Sequence, residues 1–219
     1  TDYDQVDEYY INGWINDELT KQYADNGLIR VAPTENCFRE CGNVKRPISS
    51  MADMTGLKIR VPETQACQDF YTALGAIPAA IATSETLAAL EQGTVDGVDN
   101  SIYNMKSMGV LEKIKYITML NYMYSGASIT CSEEFWNSMT ANQQAAFKQA
   151  ADEAGAFFRE NMRADEQTIL DQGSFEVEEI DPSSDFYKQM KEKAVELWAG
   201  YASQYPSDIM DRINQDFSV

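Results

Sequence analysis

Histidine is absent from the 219-residue sequence, and basic residues are scarce. There are 17 lysines and arginines against 35 aspartates and glutamates, which gives a formal net charge of −18 at pH 7. Without imidazole, Ser-His-Asp and Cys-His nucleophilic catalysis and histidine metal ligation are excluded. A surface this acidic repels nucleic-acid phosphates and anionic lipid headgroups, so we predict no nucleic-acid partner. The 44% hydrophobic content is enough for one large domain or two small ones.

Long apolar runs are also missing. No stretch reaches the roughly 18 to 20 apolar residues that cross a membrane, and no charged-then-apolar signal segment opens the sequence. We therefore expect no direct membrane insertion of this chain. The sequence begins at Thr1 without a methionine and already inside an amphipathic pattern, so we expect that an upstream portion has been removed or is missing.

The four cysteines, Cys37, Cys41, Cys67 and Cys131, form no C-x-x-C pair, which argues against a zinc knuckle or a thioredoxin-type site. Disulfide pairing in an oxidising compartment and burial as free thiols both stay open. The acidic clusters show no acid/base dyad, calcium loop or phosphate loop. We therefore predict no catalytic residue, no metal and no cofactor.

The first half of the chain alternates helix and strand patterns. Ile11, Ile15, Leu19 and Tyr23 predict a helix of about six turns that ends at Asn26-Gly27, followed by a strand over 28–31 that Pro33 stops. Further elements follow the same alternation: strand 57–61, helix 65–74, strand 77–81, helix 84–92 and short strand 93–97. Such alternation predicts an α/β fold with parallel strands.

The second half contains two strand-like runs, 115–120 and 127–131, separated by a turn-prone segment over 124–126. Each is expected to pass between two lobes. Thr140-x-x-Gln143 is a capping box that opens a helical pattern to Gly173, about 33 residues long. A helix of this length could brace two lobes, or it could be kinked or broken near Gly155.

The apolar positions of these helices predict which faces they bury. In the long helix they are Ala150, Ala154, Phe157, Phe158 and Met162. A strand over 175–180 and helices over 183–203 and 207–217 close the chain. The first of these two helices is expected to bury Met190, Ala194, Leu197 and Trp198.

Arginines at strand ends are the candidate binding residues in so acidic a chain. Arg60 falls at the carboxyl end of a predicted strand, where open α/β sheets bind ligands, and its planar fork matches a carboxylate. An internal salt bridge is the alternative for Arg60. Arg39 has a weaker case. Asn100 ends Val95-Asp96-Gly97-Val98-Asp99-Asn100 and offers an amide to a polar ligand, or alternatively an Asx turn or helix cap.

A set of ordered motifs carries a family resemblance. They are Phe38-Arg39, Lys45-Arg46-Pro47-Ile48, Met51-Ala52-Asp53-Met54-Thr55-Gly56-Leu57-Lys58-Ile59-Arg60-Val61-Pro62, Leu74-Gly75-Ala76-x-Pro78, Ala89-Leu90-Glu91-Gln92-Gly93 and Glu133-Glu134-Phe135-Trp136. The chain resembles the solute-binding proteins of TRAP transporters, the DctP-like family, from about Val6 to Phe217. The resemblance implies two α/β lobes joined by crossing hinge strands and a long bracing helix.

The resemblance also implies roles for individual residues. Arg60 corresponds to the arginine that grips the substrate carboxylate, Arg39 to a second arginine, and Asn100 to the amide that completes the carboxylate cradle. Thr83 stands where relatives often place an aromatic ring against the ligand, and Tyr122 where several have histidine. We therefore predict substrate contacts for Arg60, Arg39, Asn100, Thr83 and Tyr122, and we hypothesise a hydroxylated or aromatic carboxylate as ligand.

The resemblance further implies lobe boundaries and a function. Lobe I is expected over 1–37 and 126–165, without its N-terminal strand–helix units, and lobe II over 38–125 and 166–219. The implied function is extracytoplasmic capture of a small organic acid and its delivery to a TRAP-type membrane permease, with no reaction catalysed. The implied location is periplasmic or extracytoplasmic, in secreted or lipid-anchored form. Two alternatives stay open: an α/β enzyme acting on a carboxylate, and the ligand-sensing domain of a receptor.

Overall fold

A computed structural model describes residues 2–217 and consists of helices connected to two β-sheets. The α-helices are α1 (Tyr3–Gln5), α2 (Trp14–Asp25), α3 (Met51–Met54), α4 (Gln65–Ala73), α5 (Thr86–Glu91), α6 (Ile102–Ser107), α7 (Glu133–Ser138), α8 (Ala141–Gln172), α9 (Asp185–Tyr201) and α10 (Ser207–Phe217). A π-helix spans Val6–Ile11, and 3₁₀ turns span Thr83–Glu85 and Ala202–Gln204. The strands are β1 (Leu28–Phe38), β2 (Glu40–Asn43), β3 (Lys58–Val61), β4 (Ile77–Ala80), β5 (Gly97–Asn100), β6 (Tyr116–Met119), β7 (Tyr124–Ser132) and β8 (Glu176–Glu179).

The larger sheet is mixed, with the strand order β4-β3-β5-β2-β6-β8. Strand β3 is parallel to both β4 and β5, β2 is antiparallel to β6, and β6 is parallel to β8. The smaller sheet is the antiparallel pair of β1 and β7. The predicted parallel α/β layers are therefore present in β4-β3-β5, while β2–β6 and β1–β7 are antiparallel pairs. That the strands predicted at 115–120 and 127–131 pass between lobes stays a prediction.

By its internal contacts the chain divides into two compact units. The first comprises the chain up to Glu40, Ser101–Ser107 and Asn121–Gly173, and the second comprises Cys41–Asn100, Met108–Leu120 and the chain from Ser174 on. The first unit contains the β1–β7 pair with α8, and the second contains the six-stranded sheet. The lobe boundaries drawn from the sequence stay a prediction.

Each unit has its own buried apolar side chains. In the first, Val6, Tyr10 and Phe38 form one cluster, and Val31, Ala32 and Ala151 form another. In the second, the buried residues come from the strands and from the helices beside them, among them Ile59, Val61, Phe70, Tyr71, Leu74, Val98 and Ile117. Strands β3 and β5 are buried at nearly every residue, as is typical of strands covered on both faces, and this burial positions the strand ends described below.

The long helix α8 begins where the sequence predicts. Thr140 and Gln143 form the capping box, with the Gln143 N–H donating to Thr140 Oγ1 and the Thr140 N–H donating to Gln143 Oε1. The helix is unbroken, so the alternative of a break near Gly155 is wrong. A Cβ at Gly155 would lie 2.7 Å from the carbonyl oxygen of Pro33, so glycine is required there by the close approach of β1.

The buried face of α8 differs from the predicted one. Ala151, Gly155, Met162, Glu166 and Ile169 are buried, whereas of the predicted set Ala150, Ala154, Phe157 and Phe158 are exposed. The predicted face is therefore wrong except for Met162. In α9, Met190 is buried as predicted, but Trp198 is 40% exposed.

Four features of the β and N-terminal segments also differ from the predictions. The first helix is interrupted at Asn12-Gly13, and the backbone at Gly13 packs so closely on the Glu8 carbonyl that a Cβ would collide with it. Strand β1 continues past Pro33, because both strands of a two-stranded sheet are edges, where proline is tolerated. The segment over 124–126 is part of β7 rather than a turn, and the strand predicted at 93–97 lies at Gly97–Asn100.

Candidate ligand-binding site

The buried side chain of Arg60 is the centre of the candidate site. Arg60 lies in β3 and is 2% exposed. Two parallel strands flank β3, with Arg60 opposite Ala79 of β4 and paired in register with Val98 of β5. The carboxyl ends of these strands therefore meet at one edge of the sheet, the edge at which open α/β sheets bind ligands.

Two hydrogen bonds orient the Arg60 guanidinium. Its Nε donates to the carbonyl oxygen of Ile81 at 2.9 Å, and its Nη2 donates to Thr83 Oγ1 at 3.3 Å. Both acceptors lie in the segment that leaves β4. Because the guanidinium is planar, bonds from two of its nitrogens fix the plane and the direction of its fork.

The segment that carries Thr83 is itself anchored. Thr83 begins the 3₁₀ turn Thr83–Glu85, and its side chain is exposed. At the other end of the turn, the buried Thr86 donates its hydroxyl to the carbonyl oxygen of Ala82 at 3.1 Å. The Thr83 hydroxyl is therefore placed beside Arg60 by a short turn with a bond at each end.

Asn100 ends β5, whose four residues are all buried. Asn100 is 9% exposed, and its Nδ2 donates to Met108 Sδ at 3.3 Å. The preceding Asp99 is fully buried and accepts a hydrogen bond from the hydroxyl of Tyr71 at 3.5 Å. Because side chains alternate along a strand, Asp99 and Asn100 face opposite sides of the sheet. Tyr71 carries no sequence signal beyond an apolar position in α4.

Arg39 and Tyr122 belong to the other unit. Arg39, between β1 and β2, is half-buried, and its N–H donates to the Met123 carbonyl at 2.9 Å. The segment of the half-buried Tyr122 begins at Asn121, which has a left-handed φ of 45°. The Asn121 N–H donates to Oε2 of the fully buried Glu40 at 3.0 Å. Backbone and side-chain hydrogen bonds thus connect the segment of Arg39 with the segment of Tyr122. A separate hydrogen bond connects Arg60 with Thr83.

The arrangement around Arg60 suits an anion with a planar head. A guanidinium whose plane is fixed binds a carboxylate through two parallel N–H···O bonds, and each charge-assisted hydrogen bond contributes roughly 1.5 to 3 kcal/mol. In a chain with a net charge of −18, a buried arginine concentrates positive charge at one strand end. The substrate contacts of Arg60, Arg39, Asn100, Thr83 and Tyr122 themselves stay predictions.

Within residues 2–217 none of the four cysteines forms a disulfide. Cys37, Cys41 and Cys67 are buried and Cys131 is half-buried. Burial raises the pKa of the Cys37 thiol to about 12, with the nearby carboxylate of Glu166 adding to the effect. The buried Cys37 thiol is therefore neutral near pH 7. Over residues 2–217, the helices include none with the length and apolarity needed to span a membrane.

Three parallel strands with an oriented, buried arginine at their carboxyl ends form an arrangement that suits a small anion. The sequence profile of the bacterial extracellular solute-binding protein family 7, DctP, matches residues 1–204. The chain belongs to this family, and the resemblance seen in the sequence is confirmed. The predicted α/β fold of the periplasmic binding-protein type is confirmed as well.

Individual relatives agree with this assignment. The chain is 30% identical over 156 residues to a solute-binding protein of Verminephrobacter eiseniae, covering 71% of this chain and 47% of the relative. It is 28% identical over 166 residues to the C4-dicarboxylate-binding periplasmic protein DctP of Rhodobacter capsulatus, covering 74% and 50%. The chain thus spans about half the length of these curated relatives.

A solved structure shows the same fold. The crystal structure of a TRAP periplasmic solute-binding protein from Ralstonia eutropha, with (S)-2-acetolactate bound, superposes with a TM-score of 0.87 at 23% identity. The match covers 97% of this chain and 69% of the other. At this identity the likeness establishes the fold.

Proposed function

We propose that this chain is the solute-binding component of a TRAP transporter, which captures a small organic acid outside the cytoplasmic membrane and releases it unchanged to a membrane permease. The observation that carries the proposal is the Arg60 guanidinium, 2% exposed and oriented by Ile81 and Thr83 at the carboxyl ends of parallel strands. Membership in the extracellular solute-binding family supports the extracytoplasmic location.

The ligand is proposed to bind through its carboxylate at Arg60, and contacts of Arg39, Asn100, Thr83 and Tyr122 with the ligand are proposed from the family resemblance. The Rhodobacter capsulatus relative is named as a C4-dicarboxylate-binding protein, which supports an organic acid as the ligand class. The exposed Thr83 places a hydroxyl rather than a ring next to the guanidinium. This favours the hydroxylated or aromatic carboxylate suggested by the sequence over a short plain one.

A thermal-shift panel tests the proposal. It contains succinate and malate as C4-dicarboxylates, D-gluconate as a hydroxylated acid, 4-hydroxybenzoate as an aromatic acid, and acetate and propionate as plain short acids. A ligand at a thousandfold over its dissociation constant stabilises the folded chain by about 4 kcal/mol, which is a shift of several degrees. We expect one class to shift the melting temperature and to be recovered unchanged by mass spectrometry.

Variants assign the shift to the candidate site. Arg60→Ala is expected to abolish the thermal shift. The control matched for charge is Arg212→Ala, which removes an exposed arginine of α10 and is expected to retain the shift. Circular dichroism of the ligand-free variants separates loss of binding from loss of fold. A shift that survives in folded Arg60→Ala would contradict the role of Arg60, and chemical conversion of the acid would contradict the function.

Selectivity is tested at Thr83. Replacing Thr83 with phenylalanine is expected to favour smaller acids over D-gluconate, because the ring takes the space of the hydroxyl and removes a hydrogen bond to Arg60. Thr83→Ser keeps the hydroxyl and is the matched control. A wild-type preference for acetate or propionate would overturn the hydroxylated or aromatic assignment.

A further inference from the structure

Met108 contacts a candidate site residue through its sulfur atom. Its Sδ accepts a hydrogen bond from Nδ2 of Asn100 at 3.3 Å. Asn100 is 9% exposed, and Met108 is half-buried. Both residues belong to the second unit, at the two positions where the chain leaves that unit and returns to it. The contact is therefore made within one unit.

Strand register places the Asn100 side chain on the same face of the sheet as that of Arg60. Arg60 of β3 is paired in register with Val98 of β5, and side chains paired in this way point to the same side of a sheet. Asn100 follows Val98 by two residues, so its side chain returns to that side. The amide and the guanidinium therefore lie on one face, near the carboxyl ends of their strands.

The turn that follows α6 holds Met108 in place. Gly109 adopts a left-handed φ of 72°, which side chains disfavour, and the next residue, Val110, is fully buried. A Cβ at Gly109 would lie 3.7 Å from Cδ2 of Leu87 in α5, so the turn packs on that helix. Leu87 belongs to the second unit as well. The sulfur atom is thus carried by a turn that is anchored inside this unit.

The hydrogen bond to Met108 sets the plane of the Asn100 amide. A primary amide has two N–H donors and a carbonyl oxygen, all in one plane. When one N–H is directed at the sulfur, the directions of the second N–H and of Oδ1 follow from this planarity. A thioether is a weak acceptor, so the bond orients the amide while contributing little to stability.

We propose that Met108 is a positioning residue for acid capture, whose sulfur orients the Asn100 amide toward a carboxylate held by Arg60. Met108 acts through Asn100 and does not itself need to touch the acid. The role in capture rests on the proposed function. The orientation of the amide does not, because it is a property of the ligand-free chain.

Two substitutions separate the acceptor from the volume of the Met108 side chain. Met108→Leu keeps an apolar side chain of similar volume but has no acceptor, whereas Met108→Gln has similar length and supplies a carbonyl oxygen. A positioning role predicts that the leucine variant loses the orientation of Asn100 and the glutamine variant keeps it. A role in packing alone predicts the opposite order. Met119→Leu, at a half-buried methionine of β6 in the same unit, is the matched control.

The side-chain amide of Asn100 is observed first, by nitrogen–proton NMR correlation spectra of the ligand-free protein. Asn100→Asp lacks this amide and so identifies its signals. Because a hydrogen-bonded N–H exchanges with solvent only when its bond opens, Met108→Leu should speed exchange at Asn100 Nδ2 about three- to fivefold. Met108→Gln and Met119→Leu should follow wild type.

Acid affinity is measured second, by calorimetric titration with D-gluconate and with succinate. Circular dichroism establishes that each variant is folded. We expect Met108→Leu to weaken binding about three- to fivefold, the equivalent of one weak hydrogen bond. Met108→Gln and Met119→Leu should bind like wild type.

The two measurements separate this proposal from the proposed function. Unchanged affinity in folded Met108→Leu, or a loss in Met108→Gln with retention in Met108→Leu, would overturn the positioning role. Unchanged amide exchange in Met108→Leu would overturn the orientation of Asn100 by the sulfur. If neither acid binds wild type while amide exchange follows the expected order, the result counts against the proposed function, and the orientation of Asn100 by Met108 stands.

Discussion

Two buried carboxylates of the first unit, Glu35 and Glu166, differ in their hydrogen-bond partners. Glu35 is fully buried and receives three hydrogen bonds: from Nε and Nη2 of Arg163 at 2.8 and 3.0 Å, and from the hydroxyl of Tyr124 at 2.8 Å. Glu166, on the same helix as Arg163, receives one such bond from Tyr3 and has an oxygen without one among residues 2–217. Glu35 is paired with a cation, and Glu166 is not.

The difference is one of charge compensation within residues 2–217: a guanidinium neutralises Glu35, whereas the charge of Glu166 has no such cation. Arg163 also bonds both oxygens of Asp7 and lies over the ring of Tyr3 at 4.2 Å, so the α8 helix, the N-terminal segment and β1 are tied together by one guanidinium. This network fixes the end of β1 that leads into Arg39. Glu166 lies beside this network, no cation within residues 2–217 pairs with it, and burial raises the pKa of its carboxyl.

The largest effect should follow from breaking the Glu35 pair. Arg163→Met leaves the buried Glu35 without its cation and should lower the free energy of unfolding by about 3 kcal/mol. Urea unfolding measures it. Arg159→Met is the matched control one turn earlier, where the arginine donates to the Pro33 carbonyl, and should cost about 1 kcal/mol. Equal losses in the two variants would contradict the special role of Glu35.

A double variant sharpens the same comparison. Replacing both Glu35 and Arg163 with methionine removes the uncompensated charge, so the double variant should be more stable than Arg163→Met alone. Additive losses in the double-mutant cycle would show that the two side chains do not interact energetically.

An intermediate effect is expected at Glu166. Since its pKa is raised in the folded state, wild-type stability should fall as pH rises from about 4.5, its unfolded value, through the raised folded pKa. Glu166→Gln cannot ionise, so its stability relative to wild type should increase over that interval. Urea unfolding from pH 4.5 to pH 7.5 checks the slope, and a constant difference between the two proteins would contradict an uncompensated Glu166 charge.

The smallest effect is expected at Asp7. Hydrogen bonds from Arg163 hold the pKa of this carboxyl below its usual value of 3.8, so its contribution is present above that pH and is lost as pH falls through the lowered pKa. Because the Asp7 side chain is 45% exposed, Asp7→Asn should cost less than about 1 kcal/mol. Acid unfolding followed by fluorescence measures this loss of stability. A loss as large as that caused by Arg163→Met would contradict the expected ranking of the two variants.

The sequence allowed the α/β class, the capping box at Thr140 and the strand position of Arg60 to be predicted, because each depends on local chemistry or alternation. The buried face of α8 could not be predicted from apolar periodicity. That face includes Gly155, buried because β1 approaches closely, and Glu166, buried beside Tyr3, and neither is apolar. Phe157 is 69% exposed although its residue type suggested burial.

In the candidate site, too, some features could be predicted from the sequence and others could not. Arg60 and Asn100 could be placed at strand ends because parallel strands present their carboxyl ends together. The bonds of Arg60 to Ile81 and Thr83, and of Glu40 to Asn121, depend on pairing between segments distant in sequence. Such pairing leaves no periodic signal, so Glu40, Tyr71 and Glu166 could not have been singled out from the pattern.

The central claim is that Arg60 captures the carboxylate of the ligand. It is tested most directly by titrating wild type and Arg60→Lys with the panel acid that gives the largest thermal shift. Lysine keeps the charge but loses the planar fork that Ile81 and Thr83 orient. The account predicts that calorimetry will show binding weakened by about 10- to 100-fold, the equivalent of one charge-assisted hydrogen bond. An unchanged dissociation constant in the folded Arg60→Lys variant would contradict carboxylate capture by Arg60.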